Sequence, residues 1–172
     1  MTQIKRVDPE SMAWRRKVLV PLSDNRLGYW YLTKVAPRID ATLTPATKAW
    51  LSSVPGTPLL LITTTGAKSG KLRTNPLVYW SRGDDVILMA SNYGRDSHPA
   101  WLFNVKAHPD VTLLFRGKRG HYRARVAEGS ERDELWETSK SFIANYGSYE
   151  QRVAGKRNIQ VVVCSPVAQN RL

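Results

Sequence analysis

Cysteine is almost missing from these 172 residues: Cys164 is the only one, so no intrachain disulfide can form and a secreted disulfide framework is excluded. Long apolar runs are missing as well. None approaches the roughly 20 residues that a membrane-spanning helix requires, and the stretch from Met1 to Pro9 lacks the apolar core of a signal peptide. A cytoplasmic, soluble protein is therefore expected. There is no G-x-S-x-G elbow, so a hydrolase reading has no anchor. His98, His108 and His121 stand too far apart for a local metal motif, and no metal is expected. Acidic side chains are scarce, 14 against 26 basic, for a net charge of +12. That imbalance points to an anionic partner, whether nucleic acid, an acidic membrane surface or a small anion.

The rest of the composition is ordinary: 42% apolar and 23% charged residues exclude collagen, coiled coil and wholesale disorder. Residues 1–54 read as a helical N-terminal extension. Ala13 to Val20 sets Trp14 and Val18 one turn apart with Arg15, Arg16 and Lys17 between them, and Pro21 stops the pattern. Leu27 to Leu32 is aromatic, and Thr44-Pro45 has the form of a helix start with proline at the first helical position. From Pro58 the texture changes to strands: Leu59 to Thr65, then Leu72 to Trp80 and Asp85 to Ala90 joined by Ser81-Arg82-Gly83-Asp84. Asp96-Ser97-His98-Pro99 can cap a short helix that ends near Lys106. Val111 to Phe115 and His121 to Val126 form a second hairpin, Ser130 to Asp133 has capping-box spacing, and Ile159 to Val163 is a final strand. Six strands joined largely by hairpins favour an α+β fold: an antiparallel barrel over residues 55–172 with a helical extension.

Two constellations carry chemistry. Thr63 to Pro76 brackets a short loop with Gly66 and Gly70 and places Lys68, Lys71 and Arg73 close together; glycine loops offer N–H groups, and cations offer charge, to phosphate oxygens. It is no P-loop, because Gly66 to Gly70 leaves three residues where four are required and a strand follows in place of a helix. On the return strand, Arg73 and Asn75 alternate on one face toward Pro76. The second constellation, Ala90 to Asn104, joins a strand end, a polar loop and a helix start that contains Trp101.

Taken together, Thr64-Thr65-Gly66-x-Lys68-Ser69-Gly70, Arg73-x-Asn75-Pro76-Leu77, Ala90-Ser91, Pro99-x-Trp101-x-x-Asn104 and His108-Pro109 resemble the deazaflavin-dependent nitroreductase family, actinobacterial split-barrel reductases that use coenzyme F420. The resemblance is weaker through Tyr146-x-x-Tyr149 to Pro166. It implies a split β-barrel and a reduced F420 whose phosphate end would meet Ala67, Lys68 and Ser69. Arg73, Thr74, Asn75, Pro76, Leu77 and Val78 would line its tail and ring. Met89, Ala90, Ser91 and Asn92, together with Ala100, Trp101, Leu102, Phe103 and Asn104, would hold the deazaflavin, with Trp101 flanking the ring. Tyr149 matches a tyrosine near the substrate face, and Ser91 and Tyr149 are the expected catalytic hydroxyls. Two positions depart from the pattern: Asn92 stands where many relatives carry Lys, and Arg152 where they carry a third tyrosine. Nitroimidazole reduction is thus not implied.

The expected activity is hydride transfer to a small hydrophobic acceptor: an enone, quinone or nitroaromatic. FMN is the alternative cofactor, and a barrel that holds a flavin-like ligand without turnover is the alternative function. A single-stranded nucleic-acid barrel is disfavoured, because the cations gather in one loop and the N-terminal helix and do not alternate with aromatics along a strand. Peripheral contact of the N-terminal helix with the inner face of the membrane is left open, as is the oligomeric state.

Overall fold

The computed structural model describes residues 6–8, 26–53, 57–143 and 145–167. The expected helix over Ala13 to Val20, with its membrane-facing reading, lies outside the described residues. Three consecutive helical segments come first: α1 (Arg26–Trp30), a π-helical turn (Tyr31–Val35) and α2 (Ala36–Ala46). Thr44-Pro45 closes this helix where a start was expected. Pro45 removes a helical N–H, and two residues beyond Ala46 the backbone turns left-handed at Lys48 (φ 50°) and Ala49 (φ 62°). Among the described residues, no helix is long and apolar enough to cross a membrane.

The strands are β1 (Leu59–Thr65), β2 (Leu72–Arg82), β3 (Asp85–Met89), β4 (Asp110–Phe115), β5 (Lys118–Val126) and β6 (Val161–Pro166). All neighbours are antiparallel, and they close in the order β1-β2-β3-β6-β5-β4. Three helices follow the first strands: α3 (Ala100–Ala107), α4 (Gly129–Phe142) and α5 (Tyr146–Val153). Alternation along β3 shows how both faces of the sheet are covered. Val86 and Leu88 point into the barrel with Leu60, Ile62, Tyr79, Leu113 and Val162. Ile87 and Met89 point outward against Leu135, Trp136, Tyr146 and Tyr149 of α4 and α5. Cys164 lies fully buried inside, where burial pushes its thiol up to about 12.

One irregularity leaves part of a strand edge unpaired within the closed barrel. β2 pairs with β1 from Leu72 to Val78, but β3 joins it only from Tyr79 to Arg82. The first half of β2 therefore has a free edge, and Pro76 sits there, where a missing N–H removes no ladder bond.

Local signals in the sequence differed from the structure at several element ends. Neither α3 nor α4 receives a side-chain cap: Pro99 and Glu128 occupy the N-cap positions. Asp96 instead meets Lys156 at 2.8 Å and Asp133, the acid of the expected capping box, pairs with Arg132 at 2.9 Å; nearby, the Glu131 carboxylate takes Arg82 at 2.6 Å and Arg125 at 2.6 and 2.8 Å. Cationic side chains take these carboxylates in place of the backbone N–H groups. The β4–β5 turn is only Arg116-Gly117, both with positive φ, and the last strand starts two residues later than expected, at Val161.

Candidate active-site cleft

At the free edge of β2 lies a cleft of 1490 Å³, above the roughly 300–1,000 Å³ of a typical single-ligand pocket. Its first wall is the glycine loop. The Gly66 N–H bonds Lys71 O at 2.9 Å and the Gly70 N–H returns to Gly66 O at 2.8 Å, so the loop is a closed turn. A Cβ on Gly66 would stand 2.6 Å from Ser69 Oγ and 3.1 Å from Lys71 O. Asn104 of α3 pins the loop from behind. Its Oδ1 accepts the Ala67 N–H at 3.0 Å, its Nδ2 donates to Thr64 Oγ1 at 3.0 Å, and only 8% of the residue is exposed. Among the described residues, nothing accepts from the N–H groups of Lys68 and Ser69. Those amides, with the exposed side chains of Lys68 and Arg73, form an open anion-binding corner.

The second wall is the segment after β3. Asn92, Tyr93 and Gly94 all adopt left-handed backbone, at φ 47°, 57° and 69°. Two non-glycine residues hold that conformation because tertiary bonds over-determine it. Arg157 donates to Ser91 O at 2.7 Å, Ala90 O at 3.3 Å and Arg95 O at 3.0 Å, while Asn92 Nδ2 donates to Ser97 O at 2.8 Å. Gly94 presses on α5: a Cβ there would lie 3.1 Å from the Tyr149 ring. Ser91 and Tyr149 are thus joined through one rigid turn, since the Gly94 N–H also bonds Ser91 O at 3.0 Å.

Trp101, 4% exposed, belongs to the barrel core and also lines the cleft. Tyr146 stacks on Trp136 at 5.4 Å, a packing role, while the Tyr149 hydroxyl meets Asn145 Nδ2 at 3.5 Å. Burial raises both phenols, and Tyr149 reaches about 12.

Seventeen of the expected site residues line this cleft: Ala67, Lys68, Ser69, Arg73 to Val78, Met89, Ser91, Asn92, Ala100, Trp101, Phe103, Asn104 and Tyr149. Ala90 and Leu102 do not. Their side chains are 0% and 1% exposed inside the barrel, since alternation along β3 and the helical repeat of α3 turn them to the core. The structure adds Asp40, Tyr93, Lys106, Ile143 and Asn145 to the lining, and Arg157 behind it. Arg157 carried no sequence signal beyond being a cation ahead of the final strand. Among the described residues, no group of three or more His, Cys, Asp or Glu side chains could hold a metal ion.

Comparison with known proteins follows the same outline. Residues 38–166 match the family described as F420H(2)-dependent quinone reductase. The chain is 38% identical over 114 residues to an F420H(2)-dependent quinone reductase of Mycobacterium tuberculosis, an overlap of 64% of this chain and 75% of that protein. It superimposes on a structure described as an F420-H2 dependent reductase with a TM-score of 0.57 and 37% identity, covering 63% of this chain and 94% of the other. A structure described as a domain-swapped dimer gives a TM-score of 0.59 and 32% identity, covering 74% and 94%. With its closed six-stranded barrel, its glycine loop and a match across most of its length, the chain belongs to the F420H(2)-dependent quinone reductase family of split-barrel reductases, whose coenzyme is F420.

Proposed function

We propose that this chain reduces a small hydrophobic acceptor, an enone, quinone or nitroaromatic, at the expense of reduced F420. The observation that carries this reading is a single cleft with a cationic, N–H-lined corner at one place and a buried neutral phenol beside apolar walls at another. The residues present fit the coenzyme. Lys68, Ser69, Arg73 and the amides of the glycine loop suit its phosphate, and the absence of a side chain on Gly66 leaves the loop tight enough to present them. Met89, Ala100 and Trp101 supply an apolar wall for a flat ring. A volume larger than one ligand requires leaves room for an acceptor beside it.

When bound, reduced F420 supplies a hydride, that is, two electrons and one proton. The chain's own task is to orient the acceptor, exclude water and stabilise negative charge on the acceptor oxygen. Burial keeps the Tyr149 phenol protonated, so it donates a hydrogen bond or its proton to that oxygen; Ser91, whose backbone Arg157 holds in place, is the second donor. Residues 55–172 form the coenzyme-binding barrel in this reading, and residues 1–54 the N-terminal extension, whose α2 lines the cleft at Ala36, Asp40 and Ala41.

Steady-state oxidation of F420H2 with a naphthoquinone, a cyclic enone and a nitroaromatic, beside parallel titrations with F420 and FMN, tests the proposal. Acceptor-dependent oxidation with tighter binding of F420 than of FMN is expected. Binding without turnover of any acceptor would leave a ligand-holding barrel and end the enzymatic reading.

A further inference from the structure

Helix α2 brings one acidic group into a cleft whose other charged lining residues are cations. Among the described residues that line the cleft, the charged side chains are Lys68, Arg73, Lys106 and Asp40. Asp40 is only 8% exposed. Its Oδ1 accepts the Ser53 N–H at 2.6 Å, which ties the chain after α2 back to the helix. Among the described residues, its Oδ2 has no hydrogen-bond partner, yet Thr44 Oγ1 is the one fully buried side-chain polar atom left unpaired. Oδ2 is therefore not sealed in protein. Asp40 itself is among the residues that line the cleft. Tyr93, on the left-handed turn after β3, also lines the cleft, and the negative charge of Asp40 adds to burial in raising its phenol.

A carboxylate oxygen without a donor, on a residue this buried, is costly unless something supplies one. The glycine loop does not, because it belongs to the coenzyme's phosphate in the reading above. The remaining occupant of the cleft is the acceptor. We infer that Asp40 is a specificity-determining residue that selects acceptors which are uncharged and carry a hydrogen-bond donor such as a hydroxyl, and rejects acceptors that carry a carboxylate. The inference rests on the proposed activity and names its substrate class. It also resolves a conflict in the electrostatics. A chain with net charge +12 attracts anions generally, and an open anion corner for the coenzyme would admit acidic acceptors too; a like charge at the acceptor's place discriminates against them by repulsion. Tyr93 lines the same cleft and offers the acceptor's hydroxyl a second partner.

The test compares three naphthoquinones that differ in one substituent: methyl, hydroxymethyl and carboxymethyl. The variant is Asp40→Asn, whose Oδ1 can still accept from Ser53, so the tie to α2 is kept. For the wild-type holoenzyme, kcat/KM for the hydroxymethyl compound should exceed that for the carboxymethyl compound by at least about tenfold, equivalent to about 1.4 kcal/mol. In D40N this ratio should fall to within about threefold, chiefly because the carboxylate-bearing acceptor improves. The same three compounds are titrated against the protein without turnover, with tryptophan fluorescence as the readout, since Trp101 lines the cleft. D40N should likewise equalise their dissociation constants. A ratio that D40N leaves unchanged in both measurements overturns the inference and leaves Asp40 as a clamp on Ser53. Should the wild type oxidise F420H2 with none of the three, the proposed activity fails, and the titration still decides whether Asp40 discriminates.

Discussion

Asn104 is the side chain on which the glycine loop depends, and replacing it by alanine tests how the anion corner is built. The change removes the Ala67 N–H contact at 3.0 Å and the Thr64 contact at 3.0 Å. Thr64 keeps a hydroxyl bond to Arg73 O at 3.4 Å, and Ala67 is exposed enough to bond water, so neither group is stranded. Two hydrogen bonds of about 1 kcal/mol each give a loss of about 2 kcal/mol. In a domain of this size, that lowers the melting temperature by roughly 4–8 °C. The functional effect should be larger than this loss of stability suggests. Freed from α3, the loop no longer holds the Lys68 and Ser69 amides in one orientation, and F420 affinity should drop at least about tenfold. Fluorescence titration of F420 against N104A, with Thr64→Val as a milder companion that removes only one of the two contacts, reads this directly. A melting temperature that falls as calculated while F420 affinity stays within about twofold would refute the reasoning, for the loop would then keep its shape without its tether.

Four further outcomes follow from the same geometry. Tyr149→Phe should lower kcat roughly 10²-fold, the usual contribution of a positioned proton donor. Because burial raises the folded pKa to about 12, the phenol is in its donating form at all lower pH, and stopped-flow profiles should show no loss attributable to Tyr149 between about pH 7 and 10. Replacing both Lys68 and Arg73 by Ala should weaken F420 binding and flatten its salt dependence with little change in melting temperature, because both side chains are exposed. Gly94→Ala should destabilise the fold by about 2 kcal/mol on chemical denaturation, since a left-handed alanine costs about 1–2 kcal/mol and its Cβ would meet Tyr149 at 3.1 Å. Glu131 is held down at about 2, first by its hydrogen bond to Arg125 and then by that to Arg82, against an ordinary 4.5. A depressed carboxylate stabilises the fold above its unfolded value, so this contribution should be lost as pH falls from 4.5 toward 2, and Glu131→Gln should show a shallower acid dependence of melting temperature.

What was legible in the chain was whatever local chemistry determines. Leu59 to Thr65 reads as a strand because a β-branched apolar run ends at a glycine, and the two hairpins read from their turn residues. Most of the cleft was legible for a related reason: Gly66 to Val78 and Met89 to Asn104 are contiguous runs in which glycine, cations and an aromatic sit side by side. Helix ends were less so. Asp96 and Asp133 carried capping signals, but their carboxylates pair with Lys156 and Arg132.

Tertiary packing alone decided the rest. Asp40, Arg157 and Tyr93 look like ordinary residues of a helix, a linker and a loop; nothing in their immediate neighbours assigns them to one site. They meet because β3 ends beside β2 just where the latter's edge is free, because α2 crosses above it, and because the approach to β6 brings a guanidinium under the turn. Residue types and their short-range spacing determined which groups could bind an anion. Only the closing of the barrel decided which acid would face them, since distances between segments so far apart in sequence are set by packing and leave no local trace.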